Sequence, residues 1–152
     1  MLDRRRHLGN RGLSVIELLM VIVIVGMVAL FVFPSVVKTF DRVQVRGART
    51  ALVNSYHSAR TAARVSNLTT TLNLTSHRIW VERVKLTGGV DTIGGVTNLS
   101  SQYGVLVSGP PTITIDPRGM LASRLDAGLT FVFSRGGWSD SVVFSNYGRV
   151  SR

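Results

Sequence analysis

The chain has 152 residues, no cysteine, and a formal net charge of +10 that rests on arginine, since Lys38 and Lys85 are its only lysines. That length is enough for one modest domain with a single small core beside an anchor. Without cysteine there is no disulfide framework, thiolate nucleophile or thiolate metal site. The basic balance fits a meeting with anionic lipid headgroups or nucleic acid, or simply a preference for arginine codons.

Residues 1–12 carry Arg4, Arg5, Arg6 and Arg11, a positive leader expected to stay cytoplasmic. Removing them takes away four arginines and Asp3, and leaves a chain that is still basic at +7. The 21 residues after Gly12, through Phe33, are apolar except for Ser14, Glu17 and Gly26. As a helix rising ~1.5 Å per residue they span about 32 Å, the thickness of a bilayer core. The run is too long for an ordinary secretory signal, and no small-residue cleavage site follows it. Glu17 is the odd residue, because a carboxylate at a bilayer centre costs ~2.5–3.5 kcal/mol even on lenient scales. Either it sits near the helix end and reaches the interface, or it has a specific cationic partner.

Gly12, the apolar Leu13, Glu17 five residues past the glycine, the Leu18-Leu19-Met20 continuation and Pro34 together resemble the leader and first helix of type IV prepilins and pseudopilins. The resemblance covers residues 5–34; Leu13 departs from it, phenylalanine being usual there. It implies that a prepilin peptidase cuts after Gly12 and N-methylates Leu13. It also implies that Glu17 pairs with the terminal ammonium of a neighbouring subunit during filament assembly. The leader would lie inside and the C-terminal domain outside, on the periplasmic face of the inner membrane.

After Pro34 the pattern becomes amphipathic. Val36, Val37, Phe40, Val43, Ala48, Leu52, Tyr56, Ala59 and Ala63 recur at spacings of three to five, compatible with one helical face. Lys38, Arg42, Arg46, Arg49, Arg60 and Arg64 fall largely off that stripe, an arrangement that is most often a solvated face, the alternative being an anionic partner lying along it. The pattern predicts a helix from Ser14 to Val65, kinked or weakened at Pro34 and Gly47. The expected domains are therefore a leader (1–12), an assembly helix (13–33), its amphipathic continuation (34–66) and a globular domain (67–152).

From Asn67 onward, short runs rich in threonine, valine and aromatic residues alternate at period two, the pattern of half-buried strands. Strands are expected at Leu68–Leu74, His77–Leu86, Tyr103–Val107, Thr112–Ile115, Leu129–Phe133 and Val142–Phe144. Gly88-Gly89 and Gly94-Gly95 bracket a loop or small hairpin, and Asp116-Pro117-Arg118-Gly119 marks a turn. The class is α+β, a long N-terminal helix followed by an antiparallel β domain. I-D-P-R-G at 115–119, L-T-F-V-F at 129–133 and V-V-F-S-N-Y-G-R-V at 142–150 resemble the globular domain of the GspH/FimT group of minor pseudopilins. That implies a pilin-like helix packed on β-sheet, with a tendency to a sandwich.

Catalytic chemistry is absent from the pattern. His7, His57 and His77 have no metal-site spacing, the carboxylates are scattered, and the glycine pairs lack a P-loop lysine or dinucleotide fingerprint. No enzyme activity, cofactor or metal is expected. The tail, Tyr147-Gly148-Arg149-Val150-Ser151-Arg152, is similar to the G-R-x-R motif of FimT-type pilins that take up DNA, with its second arginine one position late. On a strand Arg149 and Arg152 would face opposite ways. Trp138 and Tyr147 are expected in core or interface packing, with base stacking the alternative.

The expected function is a minor pseudopilin of a type II secretion system or related type IV pilus machine, whose partners are the peptidase, other pseudopilins and the inner membrane. The alternative is a DNA-binding minor pilin for natural transformation, with Arg149 and Arg152 as DNA contacts.

Overall fold

The apolar stripe of the long helix settles into one regular series. In the computed structural model, which describes residues 14–122 and 128–152, helix α1 runs from Val15 to Ser66 and continues through Pro34. Its fully buried residues are Val45, Ala48, Leu52, Tyr56, Ala59 and Ala63, at spacings of three and four. Val36, Val37, Phe40 and Val43, expected on the same face, are exposed instead. The geometry explains why: at 100° per residue Val43 lies about 200° from Val45, and Phe40 about 140° away. Asn67, at φ 53°, ends the helix in the left-handed conformation.

The chain divides into two compact units, Met1–Val37 and Lys38–Arg152, with the boundary inside α1. In the second unit, four strands form one antiparallel sheet in the order β3-β2-β1-β5: β1 (Thr70–Leu74), β2 (Arg78–Val84), β3 (Val90–Asn98) and β5 (Thr112–Ile115). A second antiparallel sheet has the order β4-β6-β7-β8: β4 (Leu106–Ser108), β6 (Leu129–Arg135), β7 (Trp138–Phe144) and β8 (Val150–Ser151). Period-two alternation points Leu72, Leu74, Ile79, Val81, Ile113 and Ile115 of the first sheet inward. Phe131, Phe133, Val142 and Phe144 do the same in the second, and one core joins both sets to the helix stripe. The class is α+β, as expected.

Two segments depart from the sequence reading. Gly94-Gly95 lies within β3 rather than in a loop: the β2–β3 register shifts between Ile79 and Val81, and Gly94 takes φ 74°. Such a bulge is how a strand accommodates glycine. Tyr103, expected to open a strand, instead closes a short helix, α2 (Leu99–Tyr103). Asn98 caps α2 by accepting from the Ser101 N–H at 3.1 Å, and Gly104 at φ 59° terminates it.

Candidate functional site

The N-terminal half of α1 has an unusual surface. Every large apolar side chain from Val15 to Phe33 is between 50% and 83% exposed. A helix that is apolar all round and uncovered matches a hydrocarbon environment, and this one is long enough to cross a membrane. Glu17 sits in its first turn, where the Glu17 and Leu18 N–H groups both donate to the Ser14 carbonyl at 3.0 and 3.1 Å. A carboxylate there is favoured by the unpaired N–H groups of the helix start. Gly12 and Leu13 lie outside the described residues.

Further along α1 several of the arginines bond back to the β domain rather than forming a solvated row. Arg60 donates to the carbonyls of Gly148 (3.2 Å) and Tyr147 (3.3 Å), and Arg64 donates to that of Arg118 (3.1 Å). These bonds draw two turns onto the helix. One is the expected turn at Asp116, whose carboxylate accepts from the Arg118 and Met120 N–H groups at 3.0 and 2.8 Å. The other, Ser145–Arg149, carries the tail, and Gly148 there adopts φ 81° with no room for a Cβ beside the Arg60 guanidinium. Gly119, at φ 79°, plays the same part in the Asp116 turn. Tyr56 is fully buried one helical turn away; burial pushes its hydroxyl pKa up against the pull of Arg60 and Arg64.

Asp140 is the second focus. It is inward-facing on β7, with its side chain only 4% exposed, and it accepts from Arg49 of α1 at 3.2 Å and from Arg152 at 3.1 Å. Burial opposes its ionisation, but hydrogen bonds from Arg49, the Ser141 N–H and Arg152 outweigh that and hold its pKa below the usual carboxylate range. Asp41 of α1 pairs with Arg135 at 2.9 Å, and Arg135 also donates to the Tyr103 carbonyl.

The two tail arginines therefore have different surroundings. Val150 pairs with the buried Phe144, so β8 turns Val150 inward, and Arg152 lies on that same inner side against Asp140. Arg149 is exposed, and its guanidinium has no partner among the described residues. Trp138 is half-buried beneath Arg42, whose guanidinium lies 4.1 Å from the ring centre. Tyr147 is 81% exposed and so lies outside the core of this chain. Sequence reasoning missed Asp140 as an anchor. Its signal was present: a lone carboxylate two residues before Val142, on the inward parity of β7.

No protein-family model and no curated protein matches the sequence. Solved structures do. The crystal structure of the Pseudomonas aeruginosa type IV minor pilin FimU in one space group matches with a TM-score of 0.59 at 14% identity, over 72% of this chain and 88% of that one. A second crystal form of FimU matches with a TM-score of 0.55 at 14% identity, over 70% and 90%. The fold is pilin-like. Within this pilin-like chain no cluster of three or more His, Asp or Glu that could hold a metal occurs among the described residues.

Proposed function

We propose that this protein is a minor pseudopilin, a structural subunit rather than an enzyme. It would assemble into the filament of a type II secretion system or a related type IV pilus machine. The observation that carries the reading is an uncovered stretch of α1 from Val15 to Phe33, apolar all round with Glu17 alone in its first turn, followed by a pilin-like domain. The anchor stores the subunit in the inner membrane with its C-terminal domain outside. A prepilin peptidase cuts after Gly12 and methylates Leu13, and Glu17 pairs with the new terminal ammonium of a neighbour. Buried among apolar helices that pair sets register, since a carboxylate left there without its partner costs about 3–5 kcal/mol.

The test has two parts. Co-expression with an active prepilin peptidase should shorten the chain by residues 1–12, read by mass. Glu17→Ala should still be processed but fall at least tenfold in sheared filament fractions, the loss expected from more than about 1.4 kcal/mol per contact. Normal filament entry by that variant would sink the register argument, and an unprocessed N-terminus would sink the pseudopilin reading.

One observation favours a second reading, DNA capture by a FimT-like pilin. Arg149 projects beside the exposed Tyr147 with no partner among the described residues, a guanidinium available to phosphate. Titration of the full chain in detergent with duplex DNA should then show affinity falling steeply with salt. Arg149→Ala should weaken it more than Arg152→Ala, because Arg152 is already engaged by Asp140. Equal binding by both variants would mark a generic basic surface.

A further inference from the structure

The outer face of the first sheet carries a group of polar and aromatic side chains apart from the apolar helix and its Glu17. Asn73 and Trp80 stand opposite each other on β1 and β2, and Thr112 stands opposite Asn73 on β5. Trp80 donates its indole N–H to Glu82 at 2.8 Å, Glu82 accepts from Asn73 at 2.7 Å, and Thr112 donates to Asn73 at 3.4 Å. The one polar atom of the indole is thereby used within the sheet, and the ring is held in place as a hydrocarbon surface. It forms part of the wall of a cleft of about 720 Å³, a volume within the range of small-ligand sites.

Apart from Val96, the rest of the lining is polar. Arg78, His77, Thr92, Asn98 and Ser100 share the cleft with Trp80, and no carboxylate lines it. The guanidinium of Arg78 has no partner among the described residues, whereas Arg83 and Lys85, at and beyond the far end of β2, are both drawn to Asp91, at 3.1 and 3.9 Å. Asn98 spends its oxygen on the Ser101 N–H, so its amide NH₂ remains a donor. The wall is braced where the Leu99 N–H donates to the His77 carbonyl at 2.7 Å.

We infer that this cleft binds an acidic saccharide. The C–H face of a pyranose stacks on the Trp80 ring, a sugar carboxylate takes the planar fork of Arg78, and ring hydroxyls meet Thr92, Ser100 and the Asn98 amide. The absence of a lining carboxylate turns the site away from cations. Single-stranded nucleic acid fits less well, because such sites track several phosphates with several free cations, and Arg78 is the one arginine or lysine among the described residues lining the cleft. This binding is independent of the pseudopilin reading.

Calorimetric titration of the full chain in detergent micelles with tetragalacturonate, maltotetraose and hexathymidylate tests it. Tetragalacturonate should bind saturably and the neutral maltotetraose at least about tenfold more weakly, the difference one charged hydrogen-bonded pair makes. Arg78→Gln should remove that preference, Trp80→Leu should abolish saccharide binding, and Arg118→Gln, an exposed arginine outside the cleft, should change nothing. Arg78 is exposed, so its variant keeps the test decisive if Trp80→Leu fails to fold, as circular dichroism would report. Equal affinity for the two saccharides, no saccharide binding, or binding of hexathymidylate alone would each overturn the inference.

Discussion

Replacing Phe144 with alanine is expected to lower the unfolding free energy of the domain by about 3–5 kcal/mol. The ring is fully buried at the end of β7, 4.5 Å from Tyr56 of α1 and 5.6 Å, edge-on, from Phe131 of β6. It is thus the aromatic side chain of β7 that packs directly on a ring of the helix. Truncation removes the transfer energy of the ring and leaves a cavity whose walls belong to different elements and cannot close together. Domains of this size are stable by only about 5–15 kcal/mol, so the loss is a large fraction of the total. Val132→Ala, on the outward face of β6, should change stability by less than about 0.5 kcal/mol. Urea unfolding followed by circular dichroism measures both, and a Phe144→Ala loss under about 1 kcal/mol would show that the contact does not bridge helix and sheet.

The second large effect is expected at Asp140. Removing one partner of a buried ion pair typically costs about 3–5 kcal/mol; here about 2–3 is expected, because the stranded arginines still reach water. Arg49 keeps 29% of its side-chain surface exposed and Arg152 59%, while Asp140 keeps 4%. Asp140→Ala should therefore destabilise the domain, and the deficit should depend on pH in a definite direction. The folded-state pKa of Asp140 lies below its unfolded value, so its contribution is fully present above about pH 4. It is lost as pH falls through the folded-state value. Wild type and variant should differ at neutral pH and converge in strong acid, as measured by denaturant midpoints across that range. A gap that stays constant down to strong acid would mean that the carboxylate acts by packing and not by charge.

Much of this architecture is legible from residues alone, and the exceptions have physical causes. The helix, expected from Ser14 to Val65 and found from Val15 to Ser66, is legible because a 3.6-residue stripe repeats over many turns. Its buried residues are legible only from Ala48 onward, since nothing local marks where a partner surface begins. The strands at Thr112–Ile115 and Leu129–Arg135 follow from period-two alternation. Helix α2 hides in a run of serines, and its one signal is Asn98 placed six residues before Gly104. The arginines of α1 show the limit most clearly. Off-stripe position predicts water, but Arg49, Arg60 and Arg64 are long enough to bend back and bond to strand β7 and two turns more than fifty residues away in sequence. No short-range pattern contains that partnership. The tail is partly legible: the glycine before Arg149 marks a turn, while the engagement of Arg152 depends on β7.

The bulge in β3 has a consequence for crowding. β3 is one of the two edge strands of the first sheet, hydrogen-bonded to β2 alone, and its register breaks opposite Ile79–Val81, where Gly94 turns to positive φ. A straight outer strand would offer an unbroken row of N–H and C=O groups to any passing chain, the route by which sheets fuse and proteins aggregate. Interrupted halfway, this edge is a poor template for a foreign strand. Along this edge, molecules of this protein packed side by side at high local density therefore meet through side chains, and can part again without unzipping a shared sheet.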